Sequence, residues 1–439
     1  MTVSGRLKAK VISAMLSPAG HRARAALARA RGDGPLAYYF DPEDPWSYLG
    51  AQVLARLVAH YELPFEVHVV GRPASDVVTS LAQRDAYAVR DCQELAAYYD
   101  LDFPGRKTAD PGLALRMASG LIRPLSAEDK LAAILQMSQG LWSGDARPVT
   151  AALGRTGAES TVAVAPHLAA AAAAQRKRGH YQGGMIWYRG EWYGAVDRVD
   201  ALEATLSQQT GRALAGARRV RPEAERGPLR LATDKHKPTL ALEVWFSYRS
   251  PYSYLALEQL PSILARYPAP LILRPIAPMV QRGHALVTAK RNYLLADAKR
   301  QADRLGVPFG EIYDPLGGGV DRCLEISERL MGADDADPAE LLAFARSALR
   351  GVWAEGRALE EDAALRAVVE RAGLPWHRVA GWLAEPTGAP RAANNALDLE
   401  AIGLWGVPAF RIGDLWLWGQ DRLPLLEDRL RRHALAGAG

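Results

Sequence analysis

The stretch FSYRSPYSYL, Phe246–Leu255, joins two regions of different periodicity. Before it, residues 240–246 form a short, mostly apolar run that predicts a buried strand. After it, apolar residues recur at helical spacing as far as Tyr267. The stretch is therefore predicted to be a strand-to-helix turn. Ser250 takes the N-cap position and Pro251 the first helical position, where a proline loses no hydrogen bond.

A hydroxyl at this N-cap lies beside unpaired backbone N–H groups and the positive end of the helix dipole. Such a position suits an anion, and a thiolate in particular. Taken alone, Ser250 is explained as well by capping its helix. The rest of the chain has to decide between these interpretations.

Two motifs far downstream favour the anion-binding interpretation of Ser250. They are Trp405–Gly413 (WGVPAFRIG) and Trp418–Leu423 (WGQDRL). In thioredoxin-like folds a Val-Pro step of this kind holds a cis proline that faces the turn at the first helix. With the turn, the two motifs resemble the 2-hydroxychromene-2-carboxylate isomerases and the related kappa-class glutathione transferases, in the DsbA-like branch of the thioredoxin superfamily. Further motifs agree with the resemblance, which covers nearly all of residues 240–435: Lys290-x-x-Tyr293-x-x-x-Asp297-x-x-Arg300, Gly306-Val307-Pro308, and Val352–Gly356.

The resemblance implies a glutathione-dependent cis–trans isomerase that acts on a conjugated aromatic keto acid. In such isomerases the glutathione thiolate adds to a conjugated carbon, the former double bond rotates, and elimination releases the isomer. Ser250 would hold the thiolate as a hydrogen-bond donor, and Lys290 would be the second catalytic residue. Lys290 or Arg274 would meet the substrate carboxylate. Without the resemblance, the charged row that contains Lys290 is explained by a salt-bridged solvent face.

The resemblance also implies which residues bind glutathione. Besides Ser250, these are Val407 and Pro408, with Gln420 and Asp421 at the γ-glutamyl end, where the carboxylate would receive an ammonium group. The competing interpretation makes Asp421 an ordinary residue of a helix N-terminus. One departure loosens the substrate assignment: residues 278–284 lack the asparagine that the isomerases carry ahead of the lysine. A glutathione transferase or reductase, and a non-catalytic scaffold, therefore stay as alternatives.

Composition sets wider limits. The 439 residues fit two domains of ordinary size, and 49% hydrophobic with 23% charged residues describe a soluble globular protein. A net charge of +5 without a clustered basic stripe argues against nucleic acid as a partner, and no apolar run reaches the roughly 18 residues of a membrane span.

The two cysteines, Cys92 and Cys323, form no CxxC, which excludes dithiol redox chemistry and favours a cytoplasmic setting. Scattered histidines predict no metal. A homodimer is compatible with all of this.

The first half repeats the plan of the second. Residues 37–49 (AYYFDPEDPWSYL) align without a gap on residues 243–255 at an offset of 206, and Asp44 stands where Ser250 stands. Further echoes follow: Arg84-x-x-Tyr87-x-x-x-Asp91, Gly183–Gly190 with Met185 in place of Pro408, and Asp197-Arg198. A carboxylate at the turn would repel a thiolate. The first copy is therefore predicted to be degenerate and structural.

The sequence thus predicts an α/β protein with two thioredoxin-like, DsbA-type domains, each with a helical insertion. The predicted boundaries are a basic helical arm over residues 1–34, the degenerate domain over 35–211, a linker over 212–239 and the isomerase-like domain over 240–435.

Overall fold

The structure is a computed structural model. It describes residues 34–78, 80–213, 240–284 and 286–436, together with positions 13, 14, 17, 19, 20, 23, 26 and 27. Apart from those positions and residues 34, 212 and 213, the predicted arm over 1–34 and the predicted linker over 212–239 lie outside the described residues.

The described residues form two compact units. The first unit is built from residues between 22 and 227 together with Leu286–Tyr293. The second is built from residues of 1–21, 228–285 and 294–439. The division differs from a simple cut between the two halves, because the segment 286–293 groups with the first unit.

The first unit contains one sheet and a helical insertion between its second and third strands. In chain order its elements are β1 (Leu36–Phe40), α1 (Pro45–Tyr61), β2 (Phe65–Val69), α2 (Leu81–Tyr99), α3 (Pro111–Leu121), α4 (Ala127–Ser143), α5 (Ala146–Thr156), α6 (Thr161–Lys177), β3 (Met185–Tyr188), β4 (Glu191–Gly194) and α7 (Val199–Thr210). Five apolar or aromatic residues make β1 fully buried, as expected for a central strand covered on both faces.

The second unit has the same plan. Its elements are β5 (Leu242–Phe246), α8 (Pro251–Arg266), β6 (Leu271–Pro275), α9 (Thr288–Leu305), α10 (Gly318–Gly332), α11 (Pro338–Ala354), α12 (Asp362–Arg371), α13 (Trp376–Ala384), α14 (Pro390–Ala401), β7 (Ala409–Ile412), β8 (Leu415–Trp418), a 3₁₀ turn (Gln420–Arg422) and α15 (Leu423–Ala436). The first residues of α9 belong to the segment that groups with the first unit.

The two sheets have matching strand orders, β2-β1-β3-β4 and β6-β5-β7-β8. In each, the first two strands of the chain pair in parallel across an α-helical connection, and the last two add an antiparallel hairpin. Parallel pairing needs such a crossover, whereas antiparallel strands can follow one another through a tight turn. The α/β arrangement predicted for each half is therefore present.

The strand register corrects one detail of the predicted repeat. Tyr39 pairs with Met185 in the first sheet, and Trp245, at the equivalent position, pairs with Ala409 in the second. Met185 is thus the counterpart of Ala409, and Gly184 stands where Pro408 stands. The predicted replacement of Pro408 by Met185 is wrong by one residue, and a slip of one residue exchanges the two faces of a strand.

No helix among the described residues is long and apolar enough to cross a membrane.

Candidate functional site

The turn before α8 has the predicted geometry. Ser250 is the N-cap, with extended backbone, and its Oγ accepts a hydrogen bond from the Ser253 N–H at 3.1 Å. Pro251 occupies the first turn of the helix. The Ser250 hydroxyl donates its own hydrogen to the Val407 carbonyl at 3.3 Å. This donor–acceptor distance is longer than the usual value of about 2.7–2.8 Å for O–H···O, so the bond is weak and its hydrogen is available to a better acceptor.

The loop that contains Val407 faces this hydroxyl. The Val407–Pro408 bond is cis, as predicted, and the Gly419 N–H donates to the Pro408 carbonyl at 2.9 Å. Beside the loop the rings of Trp405 and Trp418 contact each other, with centroids 4.7 Å apart. A Cβ on Gly406 would lie 2.4 Å from the Trp418 ring nitrogen, so glycine is required where the indole covers the loop. The two indole rings therefore lie beside the loop that faces the Ser250 hydroxyl.

Gln420 and Asp421 lie in the 3₁₀ turn that follows β8. Gln420 is buried, whereas the Asp421 side chain is partly accessible. One oxygen of the Asp421 carboxylate is 3.5 Å from Nη1 of the buried Arg422. The same oxygen lies 2.3 Å from where a Cβ of Gly419 would be. The turn is therefore tightly constrained, and Arg422 already balances part of the Asp421 charge.

The structure places Lys290 in the segment that groups with the first unit. Its Nζ donates to the Val77 carbonyl of that unit at 3.0 Å, and burial lowers the pKa of its ammonium. Asp297, further along α9, is fully buried and accepts hydrogen bonds from Tyr252 at 2.6 Å and from Arg300 at 2.9 Å. Asp297 and Arg300 thus hold α9 against the start of α8, while the catalytic role of Lys290 stays a prediction.

Two arginines near the site differ in their surroundings. Arg274, a predicted partner of the substrate carboxylate, pairs with Glu243 at 2.6 Å and Asp398 at 3.1 Å. Its charge is therefore already neutralised. Arg282, which the sequence did not single out, donates through Nη2 to the Trp405 carbonyl at 2.7 Å and through Nε to the Ala277 carbonyl. Arg282 braces the loop that leads into the cis proline.

In the equivalent turn of the first unit, a buried ion pair occupies the N-cap. Asp44 caps α1 and accepts from the N–H of Ser47 at 3.0 Å and from its hydroxyl at 2.8 Å. The second carboxylate oxygen binds Arg84 at 2.7 Å, and both side chains are buried, at 1% and 4% exposure. Arg84 also lies over the Trp46 ring at 4.9 Å. A paired carboxylate and guanidinium therefore fill this N-cap.

A second carboxyl group is buried in the same turn. Asp41 accepts the Glu43 N–H at 3.0 Å, but its other oxygen accepts no hydrogen bond from the described residues. Burial first, and then the charge of Asp44, raises the pKa of Asp41 to about 7, although Arg72 and Arg84 act in the opposite direction. The counterpart of Asp41 in the second unit, at the offset of 206, is the neutral Ser247. The two turns therefore differ in charge as well as in shape.

Neither cysteine of the chain can supply a thiolate to these turns. Cys92 and Cys323 are both buried and form no disulfide, and burial raises the pKa of Cys323 well above its usual value. Within the described part of the chain, no group of three or more His, Cys, Asp or Glu side chains is arranged to hold a metal ion.

Fold and site together define the class of the second half. A hydroxyl-capped helix opposite a cis proline, on a sheet of order β6-β5-β7-β8, is the arrangement implied by the thioredoxin-like resemblance. Residues 241–431 match the family model of the DSBA-like thioredoxin domain. The carboxy-terminal half is therefore a DsbA-like thioredoxin domain.

Relatives of known name add a further indication. The chain is 26% identical over 200 residues to a 2-hydroxychromene-2-carboxylate isomerase of Sphingobium xenophagum, which covers 44% of this chain and 98% of the relative. It is also 26% identical over 205 residues to the enzyme of the same name from Pseudomonas putida, covering 44% and 95%. The resemblance drawn from the motifs is thus confirmed.

The second half is also similar to solved structures. An isomerase of this name is 24% identical, with a TM-score of 0.37, over 45% of this chain and 98% of that one. A probable DsbA oxidoreductase from Streptomyces coelicolor is 18% identical, with a TM-score of 0.35, over 44% and 89%.

Proposed function

We propose that the second half is a glutathione-dependent cis–trans isomerase of the 2-hydroxychromene-2-carboxylate isomerase type, acting on a conjugated aromatic keto acid. The observation that carries the proposal is the Ser250 hydroxyl. It caps α8, faces the cis proline, and makes only a weak bond to Val407 at 3.3 Å. The named relatives are isomerases, which supports an enzymatic function.

The geometry suits a thiolate that comes from outside the chain. Both cysteines are buried, and no CxxC is present to run disulfide exchange. A free thiol with a pKa of about 8.5 is only a few per cent ionised at neutral pH. A hydroxyl donor at a helix N-terminus favours the ionised form, because each element interacts better with an anion than with a neutral thiol. Ser250 would bind that anion without acting as a nucleophile.

The remaining wall of the site fits a peptide-like thiol. Val407 and Pro408 would face its cysteinyl part, and Gln420 and Asp421 the γ-glutamyl end. The partly accessible Asp421 carboxylate suits an ammonium group, although Arg422 at 3.5 Å competes for it. Bound glutathione would supply a sulfur nucleophile for reversible addition to a conjugated carbon. The chain's own contribution is to orient that sulfur at Ser250 and to enclose a flat substrate beside Trp405 and Trp418.

The first unit is proposed to be a duplicated and degenerate copy of the second. Matching strand orders and the alignment at an offset of 206 support a common origin. The buried Asp44–Arg84 pair fills the position that Ser250 leaves to a ligand. In this proposal the first unit is structural and the chain works in the cytoplasm, alone or as a homodimer.

The test combines glutathione binding with turnover of a hydroxychromene carboxylate. In Ser250→Ala, turnover should fall by about 100-fold or more, the size of effect seen when a donor to a developing anion is removed. The pKa of bound glutathione, followed by thiolate absorbance, should rise by about one to two units. Ser262→Ala is the matched control, because Ser262 is an exposed serine on the same helix that donates to Gln259.

Three outcomes would contradict the proposal. Undiminished glutathione-dependent turnover in Ser250→Ala would remove the role of the hydroxyl. Conjugation of glutathione to an electrophile, without isomerisation of the chromene carboxylate, would instead favour a transferase. Absence of glutathione binding by calorimetry would favour a scaffold.

A further inference from the structure

The residue directly before the N-cap serine carries a charge that the proposed mechanism does not yet use. Arg249 lies in the turn between β5 and α8 and forms two parallel hydrogen bonds with Asp314, from Nε to Oδ1 and from Nη2 to Oδ2, each 2.7 Å long. This is the bidentate geometry in which a guanidinium binds a carboxylate most specifically. The turn beside Ser250 therefore already contains a formed carboxylate-binding site, occupied by a side chain of the same chain.

The two partners differ in accessibility. The Arg249 side chain is 18% exposed, whereas that of Asp314 is 55% exposed. An ion pair with so exposed a partner contributes little stability, because water solvates the carboxylate almost as well as the arginine does. Replacing Asp314 by the carboxylate of a ligand exchanges one such bond pair for another of the same kind. Giving up the exposed pair therefore costs little, and a ligand carboxylate that is less exposed to water than Asp314 gains more from the same two hydrogen bonds.

Other cations of the second half are less suited to this exchange. Arg274 is held by two carboxylates, Glu243 and Asp398. Arg282 uses two of its nitrogens on backbone carbonyls, and its Nη1 is buried. Lys290 donates to the Val77 carbonyl, and both residues belong to the first unit. Arg249 differs from them because its partner is an exposed side chain on a loop.

The first half offers a contrast of charge at the same place. At the offset of 206 the counterpart of Arg249 is Glu43, directly before Asp44. The first turn thus has two consecutive acidic residues where the second turn has the cation Arg249 and the neutral hydroxyl of Ser250. An anionic ligand would meet repulsion at the first turn and attraction at the second.

We propose that Arg249 is the residue that binds the carboxylate of an anionic substrate at the Ser250 site, with Asp314 as the exchangeable partner that holds the guanidinium in place until the substrate arrives. This rests on the proposed function of that site and adds the residue that selects an anionic substrate. It also replaces Arg274, whose charge is already neutralised, as the partner of the substrate carboxylate.

The test compares opposite substitutions with a charged and a neutral probe. Cinnamate and cinnamamide are flat conjugated molecules of nearly the same shape that differ by one charge. Their dissociation constants are measured by calorimetry on the full chain. In Arg249→Met, cinnamate should bind about tenfold more weakly or worse, the size expected for loss of a hydrogen-bonded charge. In Asp314→Asn, cinnamate should bind about two- to fivefold more tightly, because a weak competing ion pair is removed. Binding of cinnamamide should change in neither variant.

Opposite signs distinguish this role from that of a structural clamp. If the Arg249–Asp314 pair only fixed the turn, both substitutions would weaken binding together and would affect both probes alike; that result overturns the proposal. So does equal binding of the two probes to the unsubstituted protein, or binding of neither. Arg266→Met is the matched control, since Arg266 at the far end of α8 also pairs with a carboxylate, Glu427 at 2.9 Å. It should leave both dissociation constants unchanged.

Arg249→Lys keeps the proposal testable should Arg249→Met fail to fold. Lysine preserves the charge and loses the bidentate geometry, so an intermediate loss of cinnamate affinity is expected; unchanged affinity for cinnamate in this variant would count against bidentate binding. The result also stays separate from the proposed function. Absence of glutathione-dependent turnover in the unsubstituted protein would contradict the isomerase, whereas the order of cinnamate affinities decides the role of Arg249 by itself.

Discussion

The turns that precede α1 and α8 have nearly the same backbone plan but opposite electrostatics. Each begins with an N-cap side chain that accepts a backbone N–H three residues on, and each is followed by proline. At the first turn the cap is a carboxylate bound to the buried Arg84; at the second it is a hydroxyl that shares its hydrogen weakly with Val407. The fold thus tolerates either residue, and the difference between them decides whether a ligand anion can be held.

A second comparison lies behind the caps. In both units a buried aspartate of the following helix accepts a hydrogen bond from the aromatic residue after the proline: Asp91 from Trp46 at 2.7 Å, and Asp297 from Tyr252 at 2.6 Å. The hydrogen bond from the aromatic residue to the buried aspartate is thus present in both units, whereas the N-cap residue differs. The comparison therefore separates what maintains the fold from what is free to carry function.

The strongest way to break the comparison is to give the second turn the residue of the first. Ser250→Asp should abolish glutathione binding and reduce turnover by about 1,000-fold or more, since a fixed carboxylate removes the donor and repels the thiolate. Aspartate is a good N-cap, so the fold should persist. Ser250→Asn, equally large but neutral, is the control and should lose less. Equal losses in calorimetry and turnover would show that size, and not charge, is responsible.

The reciprocal change should cost stability. Asp44→Ser leaves the buried Arg84 without its main partner, and breaking a buried ion pair on one side typically costs about 3–5 kcal/mol. Hydrogen exchange of the amides in β1 and α1 measures this locally, while the exchange of α8 serves as the internal reference. Arg84→Met added to Asp44→Ser should recover part of the loss. A double variant no more stable than the single one would contradict a buried-charge explanation.

Substitution of Arg282, which braces the loop that leads into the cis proline, should have a moderate effect. Arg282→Met removes two hydrogen bonds to the carbonyls of Ala277 and Trp405. We expect faster hydrogen exchange over residues 405–412 and about tenfold weaker glutathione binding, the equivalent of about 1.4 kcal/mol. Arg371→Met is the matched control, because Arg371 also donates to a backbone carbonyl, that of Ser347 at 2.7 Å in the helical insertion. Faster exchange at 405–412 in the control as well would deny Arg282 a specific positioning role.

A dependence of stability on pH is expected in the first unit alone. Because the pKa of Asp41 is raised to about 7, above its usual value, the folded unit binds this proton more tightly than the unfolded chain does. The free energy of unfolding of the first unit should therefore decrease as the pH rises from about 4 through about 7, with a slope of at most about 1.4 kcal/mol per unit.

Asp41→Asn tests this by removing the titrating group. Hydrogen exchange of α1, measured from pH 5 to 8 and corrected for intrinsic rates, should lose the slope in this variant. Asp76→Asn, at an exposed aspartate paired with Arg176, should keep it. The amides of α8 should not follow the same curve, since Ser247 occupies the equivalent position in the second unit.

Several features were predictable because they depend on near neighbours in the chain. The Ser250 cap and Pro251 in the first helical turn follow from local residue types. The cis bond before Pro408 was expected instead from the resemblance to thioredoxin-like folds. Other features join residues distant in the sequence: Arg249 with Asp314, 65 positions apart, and Arg282 with Trp405, 123 apart. Nothing in the residue types selects Asp314 from the 49 acidic residues of the chain, or the Trp405 carbonyl from all its backbone carbonyls.

The position of Pro408's counterpart shows the same limit on a finer scale. By motif similarity, Met185 is the counterpart of Pro408, whereas strand pairing makes Gly184 the counterpart. Hydrogen-bond register is determined between strands, and similarity along one strand does not fix it.

By itself, the sequence determined that a hydroxyl-capped turn and a carboxylate-capped turn are built on the same local plan, because helix capping and proline placement act over a few residues. Only the tertiary structure decided how each turn is completed. It paired Asp44 with Arg84, gave Lys290 the carbonyl of Val77, and brought Arg249 to Asp314. These pairings depend on how loops and helices pack, because a charged side chain can pair only with a group that folding brings within a few ångströms of it.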